Sequence, residues 1–391
     1  MKPDIFNEEK KYFLNTYNRI PIDFSHGEGV HLVAKDGTRY LDFFSGLAVN
    51  SLGYNHPKIN EAISRQIHRF LHLSNFFISD VQIEFAKKLL QVAGMSKIFL
   101  SNSGTEAVEG AIKAVRKLNG PDKTIFSFTN SFHGRTDGAL SLTAKAKYKN
   151  DFKPLLPNTA TINFNDIEDL RAKINKNTAA IFIEFIQGEG GINEVSTEFI
   201  DVLFALKNKY DFAVIADCIQ TGIGRTGKPF AFNYYDVKPD IVLVAKSVGG
   251  GLPLGAMMTT GKFDEAFLPG SHGSTFGGNP VSCAAGLVVL KEVFENSLVD
   301  EVAEKGNYLK NELNELQKLF PGKILDIRGK GFMIGIEMSE QCTSLVEEMR
   351  KRKVLTNCTN QNILRLLPPF ITSKEEIDYF LYSFHETLKI L

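Results

Sequence analysis

The chain has 391 residues, 43% of them hydrophobic, which is enough to bury one large core or two unequal ones. It carries 45 Lys and Arg residues against 45 Asp and Glu residues, so its formal net charge is zero. This balance gives no excess of basic residues of the kind that binds nucleic acid or an anionic membrane. We therefore expect its partners to be small molecules or another subunit.

The cysteines and the amino terminus favour a cytoplasmic protein. Cys218, Cys283, Cys342 and Cys358 are widely separated and form no CxxC or Cys/His cluster with zinc-ligand spacing. We expect neither a metal site nor a disulfide framework. The amino terminus lacks the apolar core of a signal peptide, and no apolar run reaches the length that spans a membrane.

The order of elements predicts three parts. In residues 1–54, the run VHLVAKDGTRYLDFF predicts a hairpin with no core of its own, so this segment should pack with the carboxyl-terminal domain or on a partner subunit. In residues 55–268, strand-length apolar runs alternate with amphipathic stretches, which predicts a large α/β domain with a mostly parallel sheet. Residues 269–391 begin with a helix between the domains and continue as a smaller α+β domain, whose last helix opens with a capping box from Ser373 to Glu376. The predicted strands of the large domain are KIFL, TIFSF, AAIFIEF, FAVIAD and DIVLVA.

Two of these strands end in groups that can do chemistry. Asp217 closes FAVIAD, and Lys246 follows DIVLVA. Ligand crevices of open α/β sheets lie at the carboxyl ends of strands, so both groups are placed to meet one bound molecule. An amine there can form an imine with an aldehyde and a carboxylate can keep a ring nitrogen protonated, as pyridoxal phosphate requires. Either residue alone is more simply explained as a surface ion-pair partner, so the neighbouring motifs have to decide.

The run SNSGTEA is a candidate phosphate site. Ser103, Gly104 and Thr105 lie where a predicted helix begins, so unpaired backbone amides, hydroxyl groups and the positive end of the helix dipole converge there. A capping box formed by Ser103 and Glu106 explains the same residues without any ligand.

The loop SFHGRT offers an aromatic ring and a carboxylate clamp. Phe132 can stack on a heteroaromatic ring, and Arg135 can grip a carboxylate through two parallel hydrogen bonds that a lysine would not reproduce. His133 is a weaker candidate that could serve only to orient a ring or to pack. An isolated loop arginine is also commonly a solvated surface charge.

Two further motifs offer contacts to the same molecule. Ile219 and Gln220 follow Asp217 closely, where they could press on a ring and hydrogen-bond to its hydroxyl group. Ser274 and Thr275 lie in the glycine-rich run HGSTFGGNP and are second candidate phosphate contacts. Glycine loops of this kind are weak evidence singly.

Carboxylates follow the strand AAIFIEF as well. Glu184 and Glu189 would lie near Arg135, and one of them could cover a second arginine, Arg365, in NILRLLPPF. Ion pairs are common on protein surfaces and contribute little, so spacing alone does not establish this pair.

Taken in order, SNSGTEA, FHGRT, IEFIQGEGG, DxxQTGIGRTG, AKSVGGGLPLGA, HGSTFGGNP and NILRLLPP resemble the motifs of the class III, subgroup II aminotransferases, which use pyridoxal 5'-phosphate. Within that group FHGRT, TYNRIPI and GLAVNSLGYNHP are most similar to acetylornithine aminotransferases, and then to the ornithine enzymes. The resemblance implies the aspartate aminotransferase-like fold of pyridoxal-phosphate enzymes, fold type I. That fold is α/β, with a mostly parallel seven-stranded sheet in the large domain and a smaller α+β domain.

The resemblance also implies roles for the cofactor-binding residues. Lys246 matches the lysine that binds the cofactor covalently and moves the proton, and Asp217 matches the partner of its ring nitrogen. Phosphate contacts are implied for Ser103, Gly104 and Thr105, ring contacts for Phe132, Ile219 and Gln220, and a phosphate contact from the other subunit for Thr275. The last of these implies a homodimer with shared active sites.

Substrate roles follow in the same way. Arg135 matches a substrate carboxylate clamp, and Ser274 and Tyr17 are further expected substrate contacts. Glu189 and Arg365 match a switch, in which the glutamate covers the arginine for the amino donor and releases it for 2-oxoglutarate. The implied reaction moves the terminal amino group of N-acetylornithine to 2-oxoglutarate by a ping-pong mechanism, giving a semialdehyde and glutamate, as in arginine biosynthesis.

The chain departs from the family at two positions: Cys218 stands where the family usually has glutamate, and Phe185 where it usually has proline. Neither change removes a group with a named chemical role, but the first deletes a charge beside the cofactor and so weakens the assignment of any one substrate. The donor could instead be ornithine, succinylornithine, 4-aminobutyrate or lysine on a carrier protein. Lys246 and Asp217 would also serve a mutase or decarboxylase. Outside enzymes, a catalytically silent cofactor-binding dimer is disfavoured, because such a relative would be expected to lose the lysine first.

Overall fold

The strands and helices follow the predicted order in a computed structural model that describes residues 5–391. The first four residues of the predicted segment 1–54 lie outside this range. The strands are β1 (Phe24–Glu28), β2 (His31–Ala34), β3 (Arg39–Asp42), β4 (Lys97–Ser101), β5 (Thr124–Phe128), β6 (Thr159–Ile162), β7 (Thr178–Ile183), β8 (Ile186–Gln187), β9 (Asn193–Glu194), β10 (Ala213–Asp217), β11 (Ile241–Val244), β12 (Gly255–Thr259), β13 (Ile324–Lys330), β14 (Met333–Met338), β15 (Val354–Leu355), β16 (Asn357–Thr359) and β17 (Ile363–Leu366). The α-helices are α1 (Ile5–Tyr12), α2 (Ser45–Ala48), α3 (Pro57–Ile67), α4 (Asp80–Ala93), α5 (Gly104–Asn119), α6 (Asp137–Leu142), α7 (Ala146–Lys149), α8 (Ile167–Lys173), α9 (Thr197–Tyr210), α10 (Pro280–Leu290), α11 (Leu298–Leu319), α12 (Thr343–Lys351) and α13 (Lys374–Ile390).

The central sheet has seven strands in the order β4-β12-β11-β10-β7-β5-β6. Only β12 runs antiparallel to its neighbours in it, so the predicted mostly parallel seven-stranded sheet is confirmed. The apolar pattern predicted five of these strands and missed β6 and β12. The first of these is rich in threonine and partly exposed, and the second begins with glycine, so neither reads as a continuous apolar run.

The middle of this sheet positions the candidate site. Strands β7, β10 and β11 are buried along their whole length, as expected for parallel strands covered on both faces. Helix α5 packs against β4, β7, β11 and β12, and its first turn therefore lies close to where β10 ends. No helix among residues 5–391 combines the length and the apolarity needed to cross a membrane.

The carboxyl-terminal part contains a second sheet, β13-β14-β17-β16, which is antiparallel throughout. The amino-terminal hairpin of β2 and β3 extends into this part of the chain, because β3 pairs in parallel with β15. Helix α10 packs on α3 and α4. These pairings support the division into 1–54, 55–268 and 269–391, which we keep as a proposal.

The expectation that the cysteines form no disulfide was wrong for one pair. Cys342 is bonded to Cys358, with their Cα atoms 5.9 Å apart. Sixteen positions separate the two residues in sequence, but α12 folds back against β16 and brings them together. Cys218 and Cys283 are free and buried.

Candidate active site

A cavity of about 480 Å³ opens at the ends of β10 and β11. Most residues predicted for the site line it: Ser103, Gly104, Thr105, Phe132, Arg135, Glu189, Asp217, Ile219, Gln220 and Lys246. Residues scattered over more than a hundred positions are thus brought to one place by the parallel strands, whose carboxyl ends share one edge of the sheet.

Lys246 projects a free amine into this cavity. It lies two residues beyond β11 with a φ of 51°, a left-handed conformation that costs a non-glycine residue about 1–3 kcal/mol and is concentrated at functional sites. Its Nζ makes no hydrogen bond or ion pair with any residue of the described range 5–391. Burial lowers the pKa of Lys246, and the nearby Arg365 adds to that effect against the attraction of Glu189. The amine is thereby held towards its neutral, nucleophilic form.

Asp217 is oriented by a histidine that the sequence marked only weakly. Its Oδ2 lies 2.7 Å from Nδ1 of His133, and its Oδ1 accepts a hydrogen bond of 3.1 Å from the Ile219 amide. Both side chains are almost fully buried. Burial lowers the pKa of His133, but the hydrogen bond and charge of Asp217 outweigh it, so the pKa is raised. His133 therefore fixes the direction in which the carboxylate faces the cavity.

The first turn of α5 forms an anion cradle on the cavity wall. Amides at the start of a helix have no partner within the helix, so those of Gly104 and Thr105 stand at the positive end of its dipole. Glycine fits closely there, because a Cβ atom at Gly104 would lie 2.7 Å from the side chain of Ile219, which would have to shift. The backbone can therefore approach a bound phosphate closely.

The predicted capping box at this helix is only half formed. Ser103 Oγ accepts a hydrogen bond from the Glu106 amide at 3.3 Å, as expected. The Glu106 carboxylate, however, accepts from the amide of Asn102 at 2.5 Å rather than from that of Ser103. It reaches one residue further because the Asn102 side-chain amide also binds it, at 3.0 Å.

Arg135 is exposed, and no carboxylate of the described residues neutralises its charge. Its guanidinium carbon lies 3.9 Å from the ring centroid of Tyr148 and 5.6 Å from that of Phe132, so two aromatic faces hold it in place. Within residues 5–391 no carboxylate forms an ion pair with it. A carboxylate that enters the cavity can therefore accept two parallel hydrogen bonds from one edge of the guanidinium group.

Arg365, in contrast, is covered. It is 2% exposed on β17, and its Nη1 lies 2.5 Å from Glu189 Oε1. The same nitrogen is 3.3 Å from the carbonyl oxygen of Gly188 and 3.3 Å from Gln220 Oε1. Burial would raise the pKa of Glu189, but Arg365 outweighs it and the pKa is lowered. The predicted association of these two residues is present.

Glu189 has a fixed backbone and a more accessible side chain. Its carbonyl oxygen accepts hydrogen bonds from Lys145 Nζ at 2.6 Å and from Thr359 Oγ1 at 3.0 Å. Its side chain is 25% exposed and lines the cavity. A rotation of the side chain can therefore uncover Arg365 without moving the loop.

Two further residues of this region make contacts that the sequence did not predict: Glu184 was expected only as a carboxylate near Arg135 or over Arg365, and Asn357 was given no role. Glu184 is buried and accepts hydrogen bonds from the amides of Phe132 at 3.0 Å and Gly188 at 3.1 Å, so it ties two cavity loops together, and burial raises its pKa to about 7. Asn357 Oδ1 accepts from Arg365 Nε at 3.1 Å and Nη2 at 2.6 Å. Nothing in the run VLTNC marks this asparagine, because its partner lies on the neighbouring strand.

Three predicted residues lie away from this cavity. Ser274 and Thr275 line a second cavity of about 800 Å³, beside His72 and Phe76. Tyr17 is 72% exposed and contacts the guanidinium group of Arg19. Their predicted substrate and phosphate contacts stay predictions.

Comparison with known proteins decides the family. The model of the family described as Aminotransferase class-III matches residues 12–388. The chain belongs to the class III aminotransferases. It is 44% identical over 382 residues to the acetylornithine aminotransferase of Aquifex aeolicus, covering 96% of this chain and 100% of that one.

Solved structures of class III aminotransferases share the whole fold. An ornithine aminotransferase from Toxoplasma gondii, described with partial occupancy of pyridoxal phosphate at its active site, gives a TM-score of 0.95 at 28% identity and covers 99% of this chain and 93% of that one. The acetylornithine aminotransferase of Elizabethkingia anophelis gives a TM-score of 0.88 at 31% identity, with coverages of 99% and 98%. The aspartate aminotransferase-like α/β fold is confirmed.

This class III aminotransferase uses pyridoxal phosphate, and its cavity fits that cofactor. The fit rests on an unpaired, partly buried amine at Lys246, a carboxylate oriented by His133, and an anion cradle in which a Cβ atom at Gly104 would meet Ile219. Among residues 5–391 no three His, Cys, Asp or Glu side chains are grouped so as to hold a metal ion.

The two departures from the family pattern lie in the core rather than in the cavity. Cys218 is 1% exposed within the main hydrophobic cluster, and burial raises the pKa of its thiol. Phe185 is also fully buried and packs against Phe232 and Tyr235. Neither residue lines the cavity.

Proposed function

We propose that this aminotransferase moves the terminal amino group of N-acetylornithine to 2-oxoglutarate, releasing the semialdehyde and then glutamate in a ping-pong reaction. The observation that carries the proposal is a pair of arginines: Arg135 lines the cavity and is unpaired, whereas Arg365 lies behind Glu189, which lines the cavity and covers it. Full-length relatives named acetylornithine aminotransferase, at up to 44% identity, support this donor.

The two arginines match the charges of the two substrates. The proposed donor has one carboxylate, which Arg135 can bind while Glu189 neutralises Arg365. The acceptor has two carboxylates and needs a second cation, which Arg365 supplies once Glu189 turns aside. One cavity can then take both substrates in turn, because the side chain of Glu189 is accessible and its backbone is held.

The remaining residues prepare the reacting centre. Pyridoxal phosphate, when bound, supplies an electron sink for the carbon that loses its proton. We assign the phosphate to the α5 amides and the ring nitrogen to Asp217, with Phe132 and Ile219 in contact with the ring and Gln220 with its oxygen. Lys246 is the base and acid, because burial lowers the pKa of its amine and so favours the neutral form, which can take up a proton and return it.

A panel of half-reactions tests the function. The loaded enzyme is mixed with N-acetylornithine, ornithine, succinylornithine, 4-aminobutyrate or lysine on its carrier protein, and the cofactor spectrum is followed. N-acetylornithine should convert the cofactor fastest, and 2-oxoglutarate should restore it. Faster conversion by another donor would replace the proposed substrate, and decarboxylated or isomerised products would replace the reaction type.

Covalent attachment is tested by borohydride reduction of the loaded enzyme followed by peptide mapping. The label should appear on Lys246, whose amine is unpaired in the cavity. A label on any other lysine would remove Lys246 from its assigned role.

Ornithine is the second candidate donor. The reason is the TM-score of 0.95 to an ornithine aminotransferase structure, against 0.88 to an acetylornithine aminotransferase structure. The same panel ranks the two donors directly.

We also propose that the active enzyme is a cytoplasmic homodimer in which Thr275 contacts the partner's cofactor phosphate. The surface beside Thr275 supports this, since Phe76, Phe77 and Ile78 are all exposed there, and a large apolar patch of this kind is typical of an interface. Cell fractionation with the transaminase activity as marker tests the location.

Subunit mixing tests the shared site. Lys246→Ala and Thr275→Ala subunits should be nearly inactive alone, but a mixed dimer should recover activity because one of its two sites is then intact. If Thr275 served its own subunit, each site of the mixed dimer would keep a defect and no activity would return.

A further inference from the structure

The N–H groups of the Arg365 guanidinium donate hydrogen bonds towards two opposite sides. On one side Nη1 meets Glu189, the Gly188 carbonyl oxygen and Gln220. On the other side Nε and Nη2 both donate to a single atom, Asn357 Oδ1, at 3.1 and 2.6 Å. The side facing Glu189 is the one that a substrate carboxylate has to reach, so Asn357 holds the guanidinium group from behind.

Asn357 is itself held rigidly. It lies directly opposite Arg365 in the pairing of β16 with β17, where cross-strand side chains are about 5 Å apart. The next residue, Cys358, is tied to α12 through Cys342, and the residue after it, Thr359, donates to the Glu189 carbonyl oxygen. The amide oxygen therefore stays in place when the side chain of Glu189 moves.

The identity of this residue matters because an amide is neutral. Its oxygen can accept two hydrogen bonds and fix the plane of the guanidinium group without cancelling its charge. An aspartate of the same shape would accept the same two bonds, but it would form a permanent ion pair and compete with any incoming carboxylate. An asparagine at position 357 can thus orient the guanidinium group of Arg365 without neutralising its charge.

We propose that Asn357 is a positioning residue for the acceptor half-reaction, which orients Arg365 and leaves its charge free for the second carboxylate of a dicarboxylic acid. The inference rests on the proposed exchange between Glu189 and that carboxylate. It deepens the proposal by naming the residue that makes the site selective for dicarboxylic over monocarboxylic acceptors.

The test uses Asn357→Asp, Asn357→Ala and the matched control Asn360→Asp in the loaded enzyme. Asn360 is exposed in the turn that follows β16 and forms no hydrogen bond with Arg365, so Asn360→Asp adds the same charge nearby without contacting that arginine. Glutarate, a non-reacting dicarboxylic acid, is titrated by calorimetry, and the donor half-reaction is followed separately in single turnovers. The calorimetric readout does not depend on catalysis.

Asn357→Asp should raise the Kd for glutarate at least tenfold and leave the donor half-reaction within about twofold of the wild type. Asn357→Ala should also weaken glutarate binding, because Arg365 loses its orientation, and Asn360→Asp should bind it normally. If Asn357 had only a structural role, Asn357→Asp would bind glutarate normally, because aspartate keeps the shape of the side chain and accepts the same two hydrogen bonds. Normal glutarate binding by Asn357→Asp, or equal damage to both half-reactions, would overturn the inference.

The outcomes separate this inference from the function on which it rests. If the wild type accepts 2-oxoglutarate and binds glutarate, and Asn357→Asp binds glutarate equally well, only the role of Asn357 is overturned. A wild type that neither uses 2-oxoglutarate nor binds glutarate overturns the proposed function, and the inference with it.

Discussion

Replacing Glu189 by glutamine is the most direct test of the arginine exchange. The substitution keeps the shape of the side chain but removes the charge that faces Arg365 Nη1 at 2.5 Å. A hydrogen bond to a charged group contributes about 1.5–3 kcal/mol. If a dicarboxylic acid has to displace this interaction, its removal should tighten glutarate binding by roughly 10- to 150-fold, at about 1.4 kcal/mol for each factor of ten.

Glu194→Gln is the matched control, since Glu194 is also 25% exposed and forms an ion pair, with Lys330 at 3.0 Å, but lies outside the cavity. Glutarate is titrated calorimetrically into the loaded wild type and both variants. Glu189→Gln should bind glutarate more tightly. It should process N-acetylornithine more slowly, because Arg365 is no longer neutralised and offers the donor carboxylate a second, unproductive site. Unchanged or weaker glutarate binding would refute the exchange.

The same substitution has a pH signature in stability. Arg365 lowers the folded-state pKa of Glu189 below its ordinary value, so the ion pair stabilises the protein above the unfolded-state pKa and loses this effect as the pH falls through the folded-state pKa. Urea unfolding should therefore show Glu189→Gln to be less stable than the wild type at pH 7, with the difference shrinking on acidification. A constant difference across this range would show that the ion pair is not its cause.

Three further predictions concern other parts of the structure. Arg135→Lys should lower kcat/KM for both substrates, because lysine cannot grip a carboxylate with two parallel bonds, and unchanged kinetics would remove Arg135 from the site. Burial raises the folded-state pKa of Glu184 to about 7, so the stability it contributes is present below its ordinary value of 4.5 and is lost as the pH rises through 7. Glu184→Gln should gain up to roughly 3 kcal/mol on the wild type between pH 5 and pH 8 in urea unfolding, and a pH-independent difference would contradict this. Cys342→Ser should lower the free energy of unfolding by about 3 kcal/mol, as expected for a loop of this length, and a reductant should have the same effect on the wild type but none on the variant.

The parts of the site that could be predicted from sequence are those that one motif specifies locally. Lys246 and Asp217 were found because each follows an apolar strand, and parallel strands bring their carboxyl ends to a common edge whatever their distance in sequence. Gly104 was found because the start of a helix leaves amides unpaired. The seven-stranded sheet followed from resemblance, since strand β12 begins with glycine and ends with threonine and so does not read as a continuous apolar run.

The parts that could not be predicted depend on contacts between distant segments. Asn357 and Arg365 meet through strand pairing, and the two bonded cysteines meet because α12 folds back over β16. His133 was marked only as a ring-orienting or packing candidate, because its hydrogen bond to Asp217 joins residues 84 positions apart. In each case the residue type is common, and only the fold supplies the partner.

The arginine exchange and the reactive amine are electrostatically linked. Glu189 raises the pKa of Lys246 and Arg365 lowers it, so the two charges of the ion pair act on the amine in opposite directions. In the proposed exchange Glu189 turns aside, and the uncovered charge of Arg365 then lowers the pKa of Lys246 further. The second carboxylate of the acceptor then brings a negative charge to the place that Glu189 has left. The proposed exchange therefore keeps a negative charge beside Arg365 in both half-reactions, as one lysine that serves both would require.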